Sequence, residues 1–158
     1  MKRLIDLLRT FIISFEFVIL IVGMGLIFFD LIPAANVAFL SSASDEKIKW
    51  MALLPVALLG LIFKDCSKLL FPEKDKKEII TGWSNYWQLR NLADVTMGYG
   101  IIFAVSGSLS WILDLSSNRA RLVVLLSTSV IGSGVTYCTF HRAMTTINVI
   151  FASSGEKS

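Results

Sequence analysis

The chain has 158 residues, of which 54% are hydrophobic and 17% are charged, and its mean hydropathy is +0.68. A soluble domain carries about 25% charged residues, so the composition excludes an ordinary water-soluble domain. One His and two Cys, at positions 66 and 138, provide neither zinc-ligand spacing nor a disulfide framework. The net charge of +3 is less informative than the placement of Lys and Arg along the chain.

Four apolar stretches approach the length of about 20 residues that a transmembrane helix needs. They predict spans at about 11–32, 48–63, 95–113 and 122–140, with a cytoplasmic segment 64–94 between the second and third. The second stretch is short, and we expect Lys64 and Lys68 to extend it by raising their ammonium groups to the headgroups. The sequence therefore predicts an all-α membrane protein with four transmembrane helices, forming a single polytopic domain over residues 1–158.

Two features near the N-terminus have competing interpretations. Lys2 and Arg3 precede the first apolar stretch, as in a signal peptide, but the stretch is longer than a signal peptide requires and Glu16 interrupts it. A retained span is therefore favoured. The segment 31–40 is too short to cross a membrane and contains Pro33, so it is predicted to be interfacial or re-entrant.

The distribution of Lys and Arg predicts the orientation. We place the N-terminus, the segment 64–94 and the C-terminus on one side of the membrane. That side then holds Lys2, Arg3, Arg9, Lys64, Lys68, Lys74, Lys76, Lys77, Arg90, Arg142 and Lys157, against Lys47, Lys49, Arg119 and Arg121 on the other. Because cytoplasmic loops carry the excess of basic residues, both termini are predicted to be cytoplasmic, in a bacterial inner membrane.

Small residues recur at four-residue spacing in the last two spans. The third span carries Gly100, Ala104 and Ser108, and the fourth carries Thr128, Gly132 and Thr136. Such stripes allow membrane helices to approach closely, and the short connection between the spans makes them antiparallel neighbours. We expect the stripes to meet each other. Chance occurrence of small residues is the alternative, and a stripe facing a second copy of the chain would give a homo-oligomer.

Glu16, an ionisable residue within the first predicted span, is the most notable single residue. Such a residue is a functional candidate because charge in hydrocarbon is costly. Its position five residues after Phe11 also allows an interfacial carboxylate within reach of Arg9 or water, and both interpretations remain open. The sequence contains no nucleophile–base pair, phosphate-binding loop or metal motif. We therefore expect a non-enzymatic protein without cofactor or metal, and no direct nucleic-acid binding.

The segment from Phe71 to Arg90, "FPEKDKKEIITGWSNYWQLR", is predicted to form an amphipathic helix on the inner leaflet. Pro72 suits the first helical position, and acidic residues follow in the first turn. Aromatic residues alternate with polar ones in its second half, and Trp and Tyr favour the headgroup level. The predicted docking residues are Lys76, Lys77, Trp83, Tyr86 and Trp87. A helix that only connects two spans is the alternative.

The predicted function is that of a membrane subunit that contacts lipids, oligomerises, and scaffolds, recruits or restrains a cytoplasmic protein partner. The alternative is a small oligomeric ion channel or carrier, with Glu16 and the Ser-rich edge of the last span along a wet path. In general outline the chain is similar to the small polytopic inner-membrane proteins of bacteria. These include toxin-immunity proteins and membrane components of anti-phage defence systems, although no motif diagnostic of either group is present.

Overall fold

The computed structural model describes residues 2–29, 31, 45–70, 86–112 and 119–155. Within these ranges the chain is helical except at Ser14, Phe29, Leu31 and Leu53, and it contains no strand. Six helices are present there: α1 (Lys2–Ile13), α2 (Phe15–Phe28), α3 (Asp45–Ala52), α4 (Leu54–Leu70), α5 (Tyr86–Ile112) and α6 (Arg119–Gly155). The predicted all-α class is confirmed.

Three helical segments are long and apolar enough to cross a membrane: Trp50–Lys68, Tyr86–Leu109 and Arg121–Thr146. They overlap the second, third and fourth predicted spans and identify the chain as an integral membrane protein. The apolar helix α2 has 14 residues, which corresponds to about 21 Å. A bilayer has a hydrocarbon core of about 30 Å, so α2 is shorter than a complete crossing within the described residues.

The first predicted span is not one continuous helix. The chain breaks at Ser14, whose backbone is extended (φ −73°, ψ 149°) and whose side chain caps α2 by accepting from the Phe17 amide. This cap satisfies one of the free N–H groups at a helix start, which makes the break favourable in the low-dielectric interior. The prediction of a single helix over 11–32 is wrong at this point.

The other helix boundaries also differ from the predicted ones. α5 begins at Tyr86, nine residues before the predicted third span, and α4 continues to Leu70, so both helices enter the segment predicted as cytoplasmic. α6 continues to Gly155, fifteen residues beyond the predicted end of the fourth span. The predicted interfacial piece at 32–40 and most of the predicted amphipathic helix, at 71–85, lie outside the described residues.

Pro55 lies at the start of α4 rather than in the middle of a kinked helix. The chain turns at Leu53, whose amide donates to the Trp50 carbonyl over 3.2 Å, and Pro55 follows in the first turn of α4. A Pro there sacrifices no hydrogen bond, because the first amides of a helix have no intrahelical acceptor. Pro55 is fully buried, and its ring lies against the position of Gly107 in α5.

α5 is the central helix and packs against α1, α3, α4 and α6. One buried cluster joins α4, α5 and α6 through Ile62, Cys66, Leu89, Ala93 and Phe140. A second cluster on α5, formed by Val95, Tyr99 and Phe103, packs against Phe11, Phe17, Ile19 and Leu20 of α1 and α2. These contacts bring the C-terminal end of α4, the first turns of α5 and the late turns of α6 to the same end of the bundle.

Candidate functional site

The break between α1 and α2, which we call the Ser14 joint, is fixed by α5. The Tyr99 hydroxyl donates to the Phe11 carbonyl over 2.6 Å. The Ser14 hydroxyl lies 2.8 Å from the Tyr99 oxygen and accepts from the Phe17 amide over 3.2 Å. The Phe11 carbonyl near the end of α1 and the Phe17 amide at the start of α2 therefore find side-chain partners, one of which, Tyr99, comes from a distant part of the chain.

Aromatic packing surrounds these hydrogen bonds. The Phe11 and Tyr99 rings are stacked, with centroids 4.3 Å apart and an interplanar angle of 6°. The Tyr99 side chain is 1% exposed, so both the ring and its hydroxyl are shielded from solvent and lipid. Hydrogen bonds are electrostatically stronger in such a low-dielectric environment. Hydrogen bonds and aromatic packing therefore both fix the position of the Ser14 joint.

A cleft of about 440 Å³ opens beside this joint. α1, the start of α2, α5 and one residue of α6 form its walls. The lining residues are Arg9, Thr10, Ile13, Ser14, Phe15, Glu16, Leu92, Val95, Thr96, Tyr99 and Thr139. The cleft thus combines one cation, one carboxylate and several hydroxyl groups with apolar walls, and its volume is typical of a small-molecule site.

Glu16, the predicted intramembrane polar residue, lies in this cleft. It occupies the first turn of α2, where the positive end of the helix dipole favours a carboxylate. Its side chain is 7% exposed, and none of the described residues gives it a hydrogen bond or ion pair. Glu16 shares the cleft with Arg9 near the end of the bundle, as the interfacial interpretation predicts. It is also shielded, as the interpretation of a functional residue within a span predicts.

The small-residue stripes make close contacts, but two of their members contact other helices. A side chain at Gly100 would meet Leu59 and Ile62 of α4 at 3.0 and 3.3 Å. The side chain of Thr128 fills the space beside Gly23 of α2. At these two positions the structure differs from the predicted pairing of one stripe with the other.

The remaining members of the stripes lie at or near the α5–α6 contact. Gly132 faces the Phe103 ring, and the buried Thr136 donates to the Gly132 carbonyl over 2.8 Å. Ala104 is buried, whereas Ser108 is partly exposed and donates to the Ala104 carbonyl over 2.9 Å within α5. Sequence spacing thus located closely packed positions, but not the helix that each one faces.

Of the predicted docking residues, Lys76, Lys77 and Trp83 lie outside the described residues. Tyr86 and Trp87 are the first residues of α5, the helix that continues across the bundle. The Trp87 side chain is 54% exposed, and the Arg90 guanidinium lies 5.6 Å from its ring centroid. Trp87 and Arg90 therefore form a cation–π pair at the surface of this end of the bundle.

Charged side chains collect at the same end. Asp65 of α4 lies 3.5 Å from the Lys68 ammonium and 3.7 Å from Nδ1 of His141 in α6, and the His141 ring stacks on Tyr137. Lys64 and Arg142 are exposed near these groups. The end that holds the Ser14 cleft is therefore also rich in exposed basic groups.

α6 is longer than a bilayer is thick. Its 37 residues correspond to about 55 Å, against about 40–45 Å for a bilayer with its headgroups. The helix begins at Arg119, soon after the end of α5, so the excess of about 10–15 Å lies toward its C-terminus, on the side of the basic end. The sequence contains a signal for this continuation, since neither Gly nor Pro interrupts the run from His141 to Ser154.

The part of the chain that the structure describes contains no group of three His, Cys, Asp or Glu residues placed to hold a metal ion. Cys66 and Cys138 are both free thiols, the first buried and the second exposed. Comparison with protein-family models, with curated proteins and with solved structures finds no match for this chain. The contacts and the cleft described above define two candidate sites, the Ser14 cleft and the basic end of the bundle.

Proposed function

We propose that this chain is a non-enzymatic subunit of a membrane assembly that recruits or restrains a soluble cytoplasmic protein with an acidic surface. In this proposal the chain crosses the membrane four times, with both termini in the cytoplasm, and α2 is the shortest crossing. A role in bacterial anti-phage defence or toxin immunity belongs to the same proposal and rests on general outline alone.

The observation that carries the proposal is the length of α6. Because α6 measures about 55 Å against about 40–45 Å for a bilayer with its headgroups, its last residues, toward Gly155, extend roughly 10–15 Å beyond the membrane. They leave the bundle at the end where Arg9, Lys64, Lys68 and Arg142 are exposed. A helix that projects from a basic surface offers shape and charge together, and charge complementarity steers an acidic partner toward it.

Homo-oligomerisation is the second element of the proposal. α2 exposes Ile21, Val22, Met24 and Phe28, and it is shorter than the hydrocarbon core. A short hydrophobic helix can be accommodated by bilayer thinning or by association with neighbouring helices. Association with a second copy of α2 would cover these side chains without bilayer deformation.

One observation favours the alternative of a channel or carrier, and another opposes it. The buried carboxylate of Glu16 is the kind of group that lines ion pathways. The Ser-rich edge of α6 consists of Ser127, Ser129 and Ser133. Ser127 is exposed, but Ser129 and Ser133 are both 0% exposed, and Ser129 donates to the Phe103 carbonyl. A polar path along this edge would require these helices to separate.

The recruitment proposal is tested by affinity purification of the tagged full chain from host membranes. Three variants are compared: a chain ending at Thr146, the double variant Lys64→Glu with Arg142→Glu, and the control Lys49→Glu in α3 at the opposite end. We expect one soluble acidic protein to be retained in a salt-sensitive manner. Retention should be lost in the first two variants and kept in the control.

Two results would contradict the proposal. One is that no soluble protein is retained by the wild-type chain. The other is that the retained protein is indifferent to both the truncation and the charge reversal, which would leave the basic end with only the lipid-facing role that positive residues commonly have.

A further inference from the structure

The buried carboxylate of Glu16 sets the chemistry of the Ser14 cleft. A carboxylate is an acceptor that carries negative charge, and its oxygens in Glu16 are not among the fully enclosed atoms that lack a partner, so they are open to the cleft. Shielding a carboxylate from water without a donor is unfavourable. Glu16 is 7% exposed, and among the described residues none donates to it or pairs with it. The helix dipole of α2 offsets only part of this cost. The cleft therefore favours a ligand that brings a cation with N–H donors to Glu16.

The same cleft also provides for an anion. Arg9 lines it and is exposed, so its guanidinium retains donors for a phosphate. Thr139 adds a hydroxyl group from α6, and Thr96 adds one from α5. A molecule that carries both an ammonium and a phosphate would satisfy the two charged side chains at once.

The cleft lies at the basic end of the bundle. Arg9 lines it, and Lys64 and Arg142 are exposed at the same end. Long basic side chains near the ends of membrane helices reach the headgroup level. A lipid headgroup is therefore available at this end of the bundle.

The rim of the cleft is apolar and faces outward. Ile13 and Phe15 line it and are 70% and 66% exposed, and the neighbouring Ile12 is 55% exposed. A water-soluble ligand would leave these side chains uncovered. Contact with acyl chains keeps these apolar side chains out of water, so the cleft is suited to an amphiphile.

From these features we infer that the Ser14 cleft binds the headgroup of a zwitterionic phospholipid with a primary ammonium. Its ammonium donates to Glu16, its phosphate accepts from Arg9, and its acyl chains lie along Ile12, Ile13 and Phe15. This site is independent of the proposed recruitment of a soluble partner, which uses the basic surface and the end of α6.

The inference can be tested without any variant. Native mass spectrometry of the detergent-purified wild-type chain is performed with phosphatidylethanolamine, its N-methyl and N,N-dimethyl derivatives, phosphatidylcholine and phosphatidylglycerol. Each methyl group removes one N–H donor while the positive charge remains. We expect the affinity to fall along the series by roughly tenfold or more from the primary ammonium to the quaternary one. Equal binding of phosphatidylethanolamine, phosphatidylcholine and phosphatidylglycerol would overturn the inference.

Variants assign the site. Glu16→Gln should remove the preference for phosphatidylethanolamine over phosphatidylcholine, and Arg9→Gln should weaken both lipids alike. Glu46→Gln, at an exposed carboxylate of α3, is the matched control and should keep the wild-type preference. A preference that survives Glu16→Gln in folded protein would overturn the assignment. If soluble glycerophosphoethanolamine bound as tightly as the lipid, the conclusion that the ligand is an amphiphile would be overturned.

Discussion

The hydroxyl groups of Ser14 and Tyr99 lie 2.8 Å apart although 85 positions separate them in the chain. Through this contact α5 holds the end of α1 and the start of α2 in place, since the Tyr99 hydroxyl also donates to the Phe11 carbonyl. A tertiary hydrogen bond thus stabilises a break in an apolar stretch that would otherwise favour one continuous helix.

Tyr99→Phe tests this relationship because it removes the hydroxyl and keeps the ring that stacks on Phe11. We expect the free energy of unfolding to fall by roughly 1 kcal/mol, as for a hydrogen bond between membrane helices. Hydrogen exchange of the amides around Ser14 should accelerate. Tyr137→Phe, in which the ring stacked on His141 is also retained, is the control. Unchanged exchange at the joint in Tyr99→Phe would show that the ring alone fixes it.

Part of this joint could be predicted from the sequence, and part could not. A Ser followed two residues later by an acid is a helix-start signal, and both stand within the first apolar stretch as Ser14 and Glu16. The signal was outweighed by the length of the apolar run, because a hydropathy window averages over two polar residues and still predicts one continuous span. Tyr99 as the partner was unpredictable, since its approach depends on how α1 and α5 are placed relative to each other.

The small-residue stripes illustrate the same limit. Four-residue spacing identified Gly100 and Gly132 as positions of close approach, and each has a neighbour that leaves little room for a side chain. Spacing cannot state the rotation of a helix relative to its neighbours, and this rotation decides that Gly100 faces α4 rather than α6. The sequence thus predicts which face of a membrane helix packs closely, but it does not predict which neighbouring helix that face contacts.

Gly132→Ala should destabilise the fold. Its added methyl group would enter the space of the Phe103 ring, which is 1% exposed and enclosed by other side chains. Overpacking of this kind costs about 1–3 kcal/mol. Gly134→Ala is the matched control two residues later in the same helix, because no atom lies within 4 Å of its added methyl group. We expect the control to be neutral or stabilising in thermal unfolding, by up to about 1 kcal/mol.

Two adjacent residues of α6 should lose very different amounts of stability on substitution by Ala. Phe140 is 1% exposed and belongs to the cluster that joins α4, α5 and α6, so Phe140→Ala should cost about 3–5 kcal/mol. His141 is 59% exposed and lies 3.7 Å from Asp65, and exposed ion pairs contribute at most about 1 kcal/mol. Denaturation of both variants in detergent measures the difference. Equal losses would mean that the contact between Asp65 and His141 matters more than its exposure indicates.

The topology is tested by cysteine labelling in a chain carrying Cys66→Ala and Cys138→Ser. Ser153→Cys reports on the end of α6, and Lys49→Cys reports on α3 at the opposite end of the bundle. If the basic end faces the cytoplasm, as the distribution of Lys and Arg predicts, a membrane-impermeant maleimide should label Ser153→Cys only in inverted vesicles. It should label Lys49→Cys only in right-side-out vesicles. Labelling of Ser153→Cys from outside the cell would contradict the orientation and remove the cytoplasmic partner with it. Protection of this residue from both sides would mean that the membrane or the assembly covers the end of α6, and that the projecting helix does not reach water.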